Sequence, residues 1–292
     1  MDLSIIIVNY KTYELTKNTI ISVLETTESS YEIFLVDNNS QDGSYEKLKS
    51  YFSHFSNEDS NGKINFIHNS TNQGFAAANN IAIKKSKGDF ILLLNSDTIV
   101  KDDSIDDCLK FIKNHNDVGA VGCKILLPNG DLDKSCKRSF PNPKNSFYKL
   151  FGFNKIKNSN SNDYNLDNLD DDGVYEVDSL VGAFMLVRKV AINEVGLLDE
   201  DYFMYGEDID WCYRIKSAGW KIIYYGKSEI IHYKGASSKK QKSKLIYEFY
   251  RAMYLFYNKH YDKKYSFFTR LSVYLGIIFL LTIKLLLNAF KK

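Results

Sequence analysis

The sequence predicts an α/β fold, a mostly parallel sheet covered by helices on both faces, followed by a helical tail. Between Leu3 and Cys123, short β-branched runs alternate with segments whose apolar residues recur at helical spacing. The runs are continuously apolar, as expected of strands buried on both faces. Two of them end in a carboxylate, Asp37 and Asp97, on the edge where ligands bind in such sheets.

Taken in order, Leu3–Val8 opens the sheet, and a helix is expected over Glu14–Glu25, with Ile20, Val23 and Leu24 on one face. Glu32–Val36 is the second strand, stopping at Asp37-Asn38-Asn39-Ser40. After the turn at Asp42-Gly43, Leu48, Tyr51, Phe52 and Phe55 have the spacing of an amphipathic helix. Ile64–His68 is the third strand, and the segment from Gly74 to Lys85, rich in alanine and asparagine, is a helix. Phe90–Leu94 is the fourth strand, ending at Asn95-Ser96-Asp97. Ser104–Asn114 is helical and Val118–Cys123 is the fifth strand.

The middle is less regular. Pro128-Asn129-Gly130-Asp131 is a turn, and the stretch from Lys137 to Gly173 reads as a long loop of the kind that serves as a lid or binding segment. Order returns at Tyr175–Val187, with a helix around Arg188–Val195. A helix headed by Glu207, Asp208 and Asp210 follows Tyr205-Gly206 and ends near Ala218-Gly219. A strand is expected at Trp220–Tyr225, then a separate run Ile230-Ile231-His232. In the tail, Leu245–Tyr261 sets aromatic and aliphatic residues at helical spacing among basic ones. Leu271–Ile283 is thirteen residues without a charge, followed by Lys284. Thirteen residues give a helix of about 20 Å, short of the roughly 30 Å hydrocarbon core. An interfacial or half-inserted basic helix is therefore preferred over a full span, a buried helix or a dimer contact.

Composition narrows the function. The 38 basic and 36 acidic residues nearly cancel and leave no footprint for nucleic acid. The distribution is uneven: Asn158–Asp172 is acidic and the tail after Lys234 is strongly basic. Cys108, Cys123, Cys136 and Cys212 show no C-x-x-C spacing, so neither a zinc site nor a disulfide framework is expected, and a reduced, cytosolic setting fits best. The apolar run Ile5–Val8 is too short for a signal-peptide core. No glycine-rich phosphate loop is present, which counts against a kinase, an ATPase or a dehydrogenase.

Each candidate site residue has a plain structural explanation beside a functional one. Asp37 can accept hydrogen bonds from a nucleobase or ribose, or merely cap the next helix. Asn72-Gln73-Gly74 and the small residues through Asn80 let backbone approach a ligand, or serve tight helix–sheet packing. Asp97 can hold a divalent cation bridging two phosphates, or end a strand in a turn. His232 is a lone histidine closing a strand, on a course that returns to the same rim. The acids at Glu207, Asp208 and Asp210 suit a helix N-terminus, but aromatic neighbours raise carboxylate pKa values toward the range of a general base.

In this order, Ser4–Tyr10, Val36–Ser40, Asn72–Asn80, Leu94–Thr98, Gly182–Arg188 and Val195–Arg214, with Ala218-Gly219-Trp220 and His232–Ser237 behind them, resemble family 2 glycosyltransferases of the GT-A fold, especially the bacterial rhamnosyltransferase branch. The resemblance covers residues 3–260. It implies a GT-A catalytic domain over 1–240 and a membrane-associating segment over 241–292. It implies that the backbone around Val8, Asn9 and Tyr10 and the side chain of Asp37 hold base and ribose, with Asn72, Gly74, Asn79 and Ser96 in the nucleotide site. Asp97 would be the metal-binding acid of the Asp-x-Asp motif, whose first acid is here Asn95, and His232 a further ligand to Mg²⁺ or Mn²⁺. Asp208 would be the catalytic base, with Glu207 and then Asp210 behind it. The Gln-x-x-Arg-Trp signature of processive synthases is absent, which implies addition of a single sugar.

The implied reaction is inverting transfer from a nucleotide-sugar donor to a glycan or a polyprenyl-diphosphate-linked acceptor. dTDP-rhamnose is favoured over UDP-hexoses as donor. The implied place is the cytoplasmic side of the bacterial inner membrane, with the tail on the membrane surface or in a homodimer. Two readings compete. A nucleotidyltransferase would carry glycines after the first strand, where Asn9-Tyr10-Lys11-Thr12 has none. A non-catalytic scaffold on the same fold would keep the residues and lack turnover.

Overall fold

Four parallel strands form the first half of the sheet. These are β1 (Leu3–Asn9), β2 (Tyr31–Asp37), β3 (Lys63–His68) and β4 (Phe90–Asn95), standing in the order β3-β2-β1-β4. The computed structural model describes residues 1–56, 62–143, 164–234 and 242–290. Every residue of β2, all of β1 but Val8 and all of β4 but Asn95 are buried, which is why these strands read as unbroken apolar runs. The chain leaves β1 toward β2 on one side and returns to β4 on the other, so the switch point lies between β1 and β4. Their carboxyl ends are in register there, Val8 opposite Asn95 and Asn9 opposite Asp37.

The second half mixes directions. β8 (Phe184–Arg188) lies antiparallel between β4 and β6 (Val118–Leu126), and β6 pairs in parallel with β9 (Lys221–His232). The short β5 (Thr98–Val100) and β7 (Val174–Glu176) run antiparallel along β9. Of the nine strands among the described residues, β1 to β4, β6 and β9 share one direction. The runs expected as separate at Trp220–Tyr225 and Ile230–His232 are one strand of 12 residues. Gly226 and Ser228 interrupt its apolar pattern, and the β6–β9 register shifts between Cys123 and Lys124 at that point.

The helices α1 (Tyr13–Thr26), α3 (Phe75–Ile83) and α4 (Ser104–Asn114) fall close to their expected places. The helix expected to run to Phe55 stops earlier: α2 (Ser44–Tyr51) gives way to a 3₁₀ turn at Ser53–Ser56. Beyond β8 come α5 (Lys189–Val195) and the acidic helix α6 (Glu207–Ser217). Of the loop expected over Lys137–Gly173, residues 144–163 lie outside the described residues, as do Gly235–Ser237 of the motif after His232.

The tail is a helical hairpin. α7 (Lys242–His260) packs on the head of α6, and α8 (Phe267–Ala289) folds back along α7. The Tyr274 hydroxyl donates to Asn258 at 3.2 Å and Asp262 at 2.8 Å, and Asn288 donates to Ser243 at 2.9 Å. His260 Nε2 lies 2.7 Å from the buried Asp210, Arg251 donates to the Asp201 carbonyl at 2.6 Å, and Phe256 stacks among Phe140, Tyr213 and His260. Truncation at residue 241 removes these partners and leaves Asp210 with Arg214 alone, so it is expected to lower Tm by about 5 °C or more. Truncation at residue 265 keeps α7 and is expected to cost less. Thermal denaturation of both variants in detergent checks this; equal losses would contradict it.

Candidate active site

The rim at the switch point is braced by buried amides. Asn9 donates to Asp37 at 2.7 Å, Ser40 at 3.1 Å and Ser44 at 3.0 Å, and its oxygen accepts from Thr12 at 3.1 Å and Thr16 at 2.8 Å. The Asn9 side chain therefore turns inward, while Val8 and Tyr10 beside it are part-exposed. Asp37 is fully buried: it also accepts from the Ser40 backbone at 3.0 Å, and His68 Nδ1 lies 3.3 Å away. A ligand reaching Asp37 would have to displace one of these donors.

Asn38 ties the next loop to this rim, donating to Asn72 and to the Gly74 carbonyl at 3.0 Å each and accepting from Asn69 and the Gln73 backbone at 3.2 Å each. Gly74 has a left-handed φ of 88°, and a Cβ there would sit 2.2 Å from the Phe203 carbonyl oxygen. The next N–H, of Phe75, donates to that carbonyl at 2.8 Å. Asn79 donates to the Phe75 carbonyl at 2.8 Å, and Asn80 grips the Leu198 backbone on both sides. Asn80 thus holds the segment that leads toward α6, whereas Asn79 bonds within its own helix.

At the end of β4, Ser96 touches Thr12 at 3.2 Å, and Asp97 meets His232 across the β5–β9 pairing, where Thr98 stands opposite His232. His232 Nε2 lies 3.1 Å from Asp97 and 3.3 Å from the Asn95 amide. Its Nδ1 is buried without a hydrogen-bond partner, 3.7 Å from Asp133. Burial opposes charging of this ring, but Asp133 and Asp97 outweigh it and raise its pKa to about 9. Burial also works against ionisation of Asp133, yet His232, Ser135 and Lys234 hold its carboxyl well below the usual range. Asp97 and His232 form a carboxylate–imidazole pair that could hold a divalent cation once the ring gives up its proton, which the cation would displace. Among the described residues no three His, Cys, Asp or Glu side chains gather as a metal cage, so a cation there would draw its other ligands from substrate oxygens and water.

The acidic helix starts abruptly. Tyr205 and Gly206 both take left-handed φ, 70° and 81°, which turns the chain into α6 with its acids pointing inward. A Cβ at Gly206 would lie 3.1 Å from Ala252, so α7 caps this turn. Asp208 accepts from Arg138 Nη2 at 2.7 Å and the Gly182 N–H at 3.3 Å. Gly182 precedes Ala183, whose carbonyl accepts from Asn95 N at 3.0 Å; this chain of contacts sets Asp208 beside the end of β4. Glu207 has one carboxylate oxygen buried without a partner, and burial together with the neighbouring Asp208 pushes its pKa up to about 8. Asp210 is committed elsewhere, to Arg214 at 2.8 Å and His260 at 2.7 Å, which hold it low against its burial.

Sequence reasoning missed Arg138 and Asp133. Both lie in the charged run Asp131–Arg138, which resembles an exposed turn, and both are buried. His68 and Asn38 were passed over as ends of strands.

The chain matches a model described as glycosyl transferase family 2 over residues 4–163, and one described as glycosyl transferase family group 2 over residues 90–289. It is 25% identical over 241 residues to N-acetylglucosaminyl-diphospho-decaprenol L-rhamnosyltransferase of Mycobacterium tuberculosis, covering 79% of this chain and 75% of the relative. It is 32% identical over 168 residues to rhamnosyltransferase WbbL of Escherichia coli, covering 55% of this chain and 61% of that one. Its fold matches a mannosyltransferase of Pyrobaculum calidifontis in complex with GDP-Man and Mn²⁺, with TM-score 0.60 and 14% identity over 88% of this chain and 63% of that one. The chain thus spans less than two thirds of the length of the last two.

Glu207 gives the site a pH signature. Unfolded, it loses its proton above the ordinary 4.5; folded, it keeps it until about 8. Its contribution to stability therefore falls as pH rises between those values and is level beyond them. Relative to the parent, Glu207→Gln is expected to gain a few degrees of Tm between pH 5 and pH 8.5. A constant difference across that range would contradict the assignment.

Proposed function

This chain belongs to glycosyl transferase family 2, and from that premise we propose that it moves one sugar, with inversion, from a nucleotide sugar to a hydroxyl of a lipid-linked or glycan acceptor. One observation supports this above the rest: on one rim of a GT-A sheet, the Asp97–His232 pair stands near a buried carboxylate pair at the head of α6. The first suits the diphosphate of a donor, and the second suits the hydroxyl of an acceptor.

Asp97 and His232 would hold a divalent cation whose charge offsets that developing on the leaving diphosphate. The braced loops at Val8–Tyr10, Asp37 and Asn72–Gly74 would seat the nucleoside, where preset backbone lowers the cost of ordering. Of the three acids, Asp208 is the proposed base. It faces the β4 rim through Gly182, whereas Glu207 retains a proton at neutral pH and Asp210 is paired with Arg214 and His260. Asp208 would take the proton of the acceptor hydroxyl as that oxygen attacks the anomeric carbon from the face opposite the nucleotide. The relative named for L-rhamnosyl transfer to N-acetylglucosaminyl-diphospho-decaprenol supports a rhamnosyl donor, for which dTDP-rhamnose is our proposal, and a polyprenyl diphosphate as acceptor carrier.

The tail suits the cytoplasmic face of a membrane. α8 is continuous for 23 residues, about 35 Å at the helical rise, longer than its uncharged stretch suggests. One side rests on α7, and the other exposes Phe268, Leu275, Ile278 and Phe279. Arg270 and Lys284 flank the uncharged stretch, where their long stems can reach the headgroups. An apolar face of this size on a charged hairpin fits an interfacial or anchored helix.

Thermal stabilisation by dTDP, UDP and GDP, each with and without Mn²⁺, tests the donor side. A metal-dependent shift selective for dTDP is expected, and a ligand at 100 times its Kd adds about 2.7 kcal/mol. Selectivity for UDP would move the donor to a UDP-hexose; no shift at all would remove the nucleotide-sugar reading. Asp97→Ala is expected to abolish the metal-dependent part. Asp208→Asn is expected to keep nucleotide binding and lose about 10²- to 10⁴-fold in turnover. In liposome flotation the full-length protein is expected to rise with the vesicles and a chain ending at residue 265 to stay behind; an unbound full-length protein would contradict the membrane role.

A further inference from the structure

Arg138 is a buried cation that belongs to no motif in the sequence. Its backbone is bridged to Ser179, with Arg138 N donating at 3.0 Å and Ser179 N returning a bond at 2.9 Å. Its side chain reaches the head of α6. There Nη2 donates to Asp208 Oδ2 at 2.7 Å and to the Leu180 carbonyl, and only 7% of the residue is exposed.

The charges around it must balance with little help from water. Glu207 and Asp208 are adjacent and both are more than nine-tenths buried, and among the described residues Arg138 is the cation paired with them. Two neighbouring buried carboxylates do not both stay ionised without compensation. The guanidinium pairs with Asp208, while burial and that adjacent acid push the Glu207 pKa up to about 8. The other titratable groups in contact stay neutral: burial pushes Cys212 on the same helix up to about 12, and burial also raises Tyr164, against the opposing pull of Arg138. Asp210, one turn along, has its own partners in Arg214 and His260. The guanidinium and the Gly182 N–H together fix Oδ2, while Oδ1 accepts from the Ile209 N–H at 2.8 Å, its one hydrogen bond among the described residues.

We propose that Arg138 is the positioning residue of the base, holding the Asp208 side chain in one orientation beside the β4 rim and supplying the counter-charge of the Glu207–Asp208 pair. This rests on the reading of Asp208 as the acceptor of the hydroxyl proton. Without Arg138 the pair of acids loses its counter-charge, and Asp208 loses its fixed rotamer.

The test uses full-length protein carrying R138Q, R138K, D208N and R138Q/D208N. Two readouts are taken: the pH profile of kcat/KM for nucleotide release from dTDP-rhamnose, or from whichever nucleotide sugar the wild type turns over, and Tm. R138Q is expected to lower turnover at pH 7 about tenfold or more and to move the acid limb of the profile up by about one pH unit, with R138K recovering much of both. In Tm, R138Q is expected to cost several degrees, and adding D208N to recover at least half, because the orphaned carboxylate is then gone. If R138Q alone does not fold, R138K and the double variant carry the comparison. An unmoved acid limb, or additive Tm losses, would overturn the proposal. A wild type that turns over no nucleotide sugar would instead overturn the proposed reaction, and the Tm cycle would still decide whether Arg138 holds the carboxylate.

Discussion

The pairing of β5 with the end of β9 is the constraint on which the site depends. It is three residues long on the β5 side, yet it brings Asp97 and His232, 135 residues apart in sequence, to within 3.1 Å. β9 can serve this end of the sheet because it also runs beside β6, and an irregularity at Gly226–Ser228 resets its register on the way. A strand slip of one residue would reverse every side chain and turn His232 away from the rim. Buried pairing along the first half of β9 therefore fixes chemistry at its far end.

A second theme is the separation of acids by environment. Three carboxylates share the first turn of α6, where the helix dipole alone would treat them alike. Packing divides them. Asp210 is held by Arg214 of its own helix and by His260, which fastens α7 to that helix. Glu207 is buried beside another acid and keeps its proton, while Asp208 meets a buried guanidinium. Groups that are alike in sequence thus take a structural role, a raised pKa and a contact with a buried guanidinium, the usual way a site sets acids apart. The contacts of α7 with Gly206 and Asp210 also mean that the tail helps to shape this turn.

Much of this was legible in the residues. Unbroken apolar runs gave β1, β2 and β4, since strands covered on both faces have no polar side to interrupt them. Asp37 and Asp97 could be placed on one edge because strands that run the same way end on the same edge. What escaped was long-range or brief. β5 is too short to leave a period, and β9 carries a glycine and a serine that split its pattern. Asp133 and Arg138 sit in a charged run that looks solvated, and only the fold shows that each is buried against a partner of opposite charge. The inward turn of the Asn9 side chain was equally hidden, because an amide that braces a loop and one that meets a ligand look the same in sequence. The thirteen uncharged residues of the tail understated its helix, which continues through Arg270 and Lys284.

The most direct test of the central claim is a crystal structure with dTDP and Mn²⁺, read by the anomalous signal of the metal. A single Mn²⁺ peak is expected within bonding distance, about 2.0–2.4 Å, of Asp97 and His232, with the diphosphate on its far side. Glu207 and Asp208 are expected to stay clear of the metal. A peak on Glu207 or Asp208, or a nucleotide seated away from the β1–β4 rim, would contradict that claim.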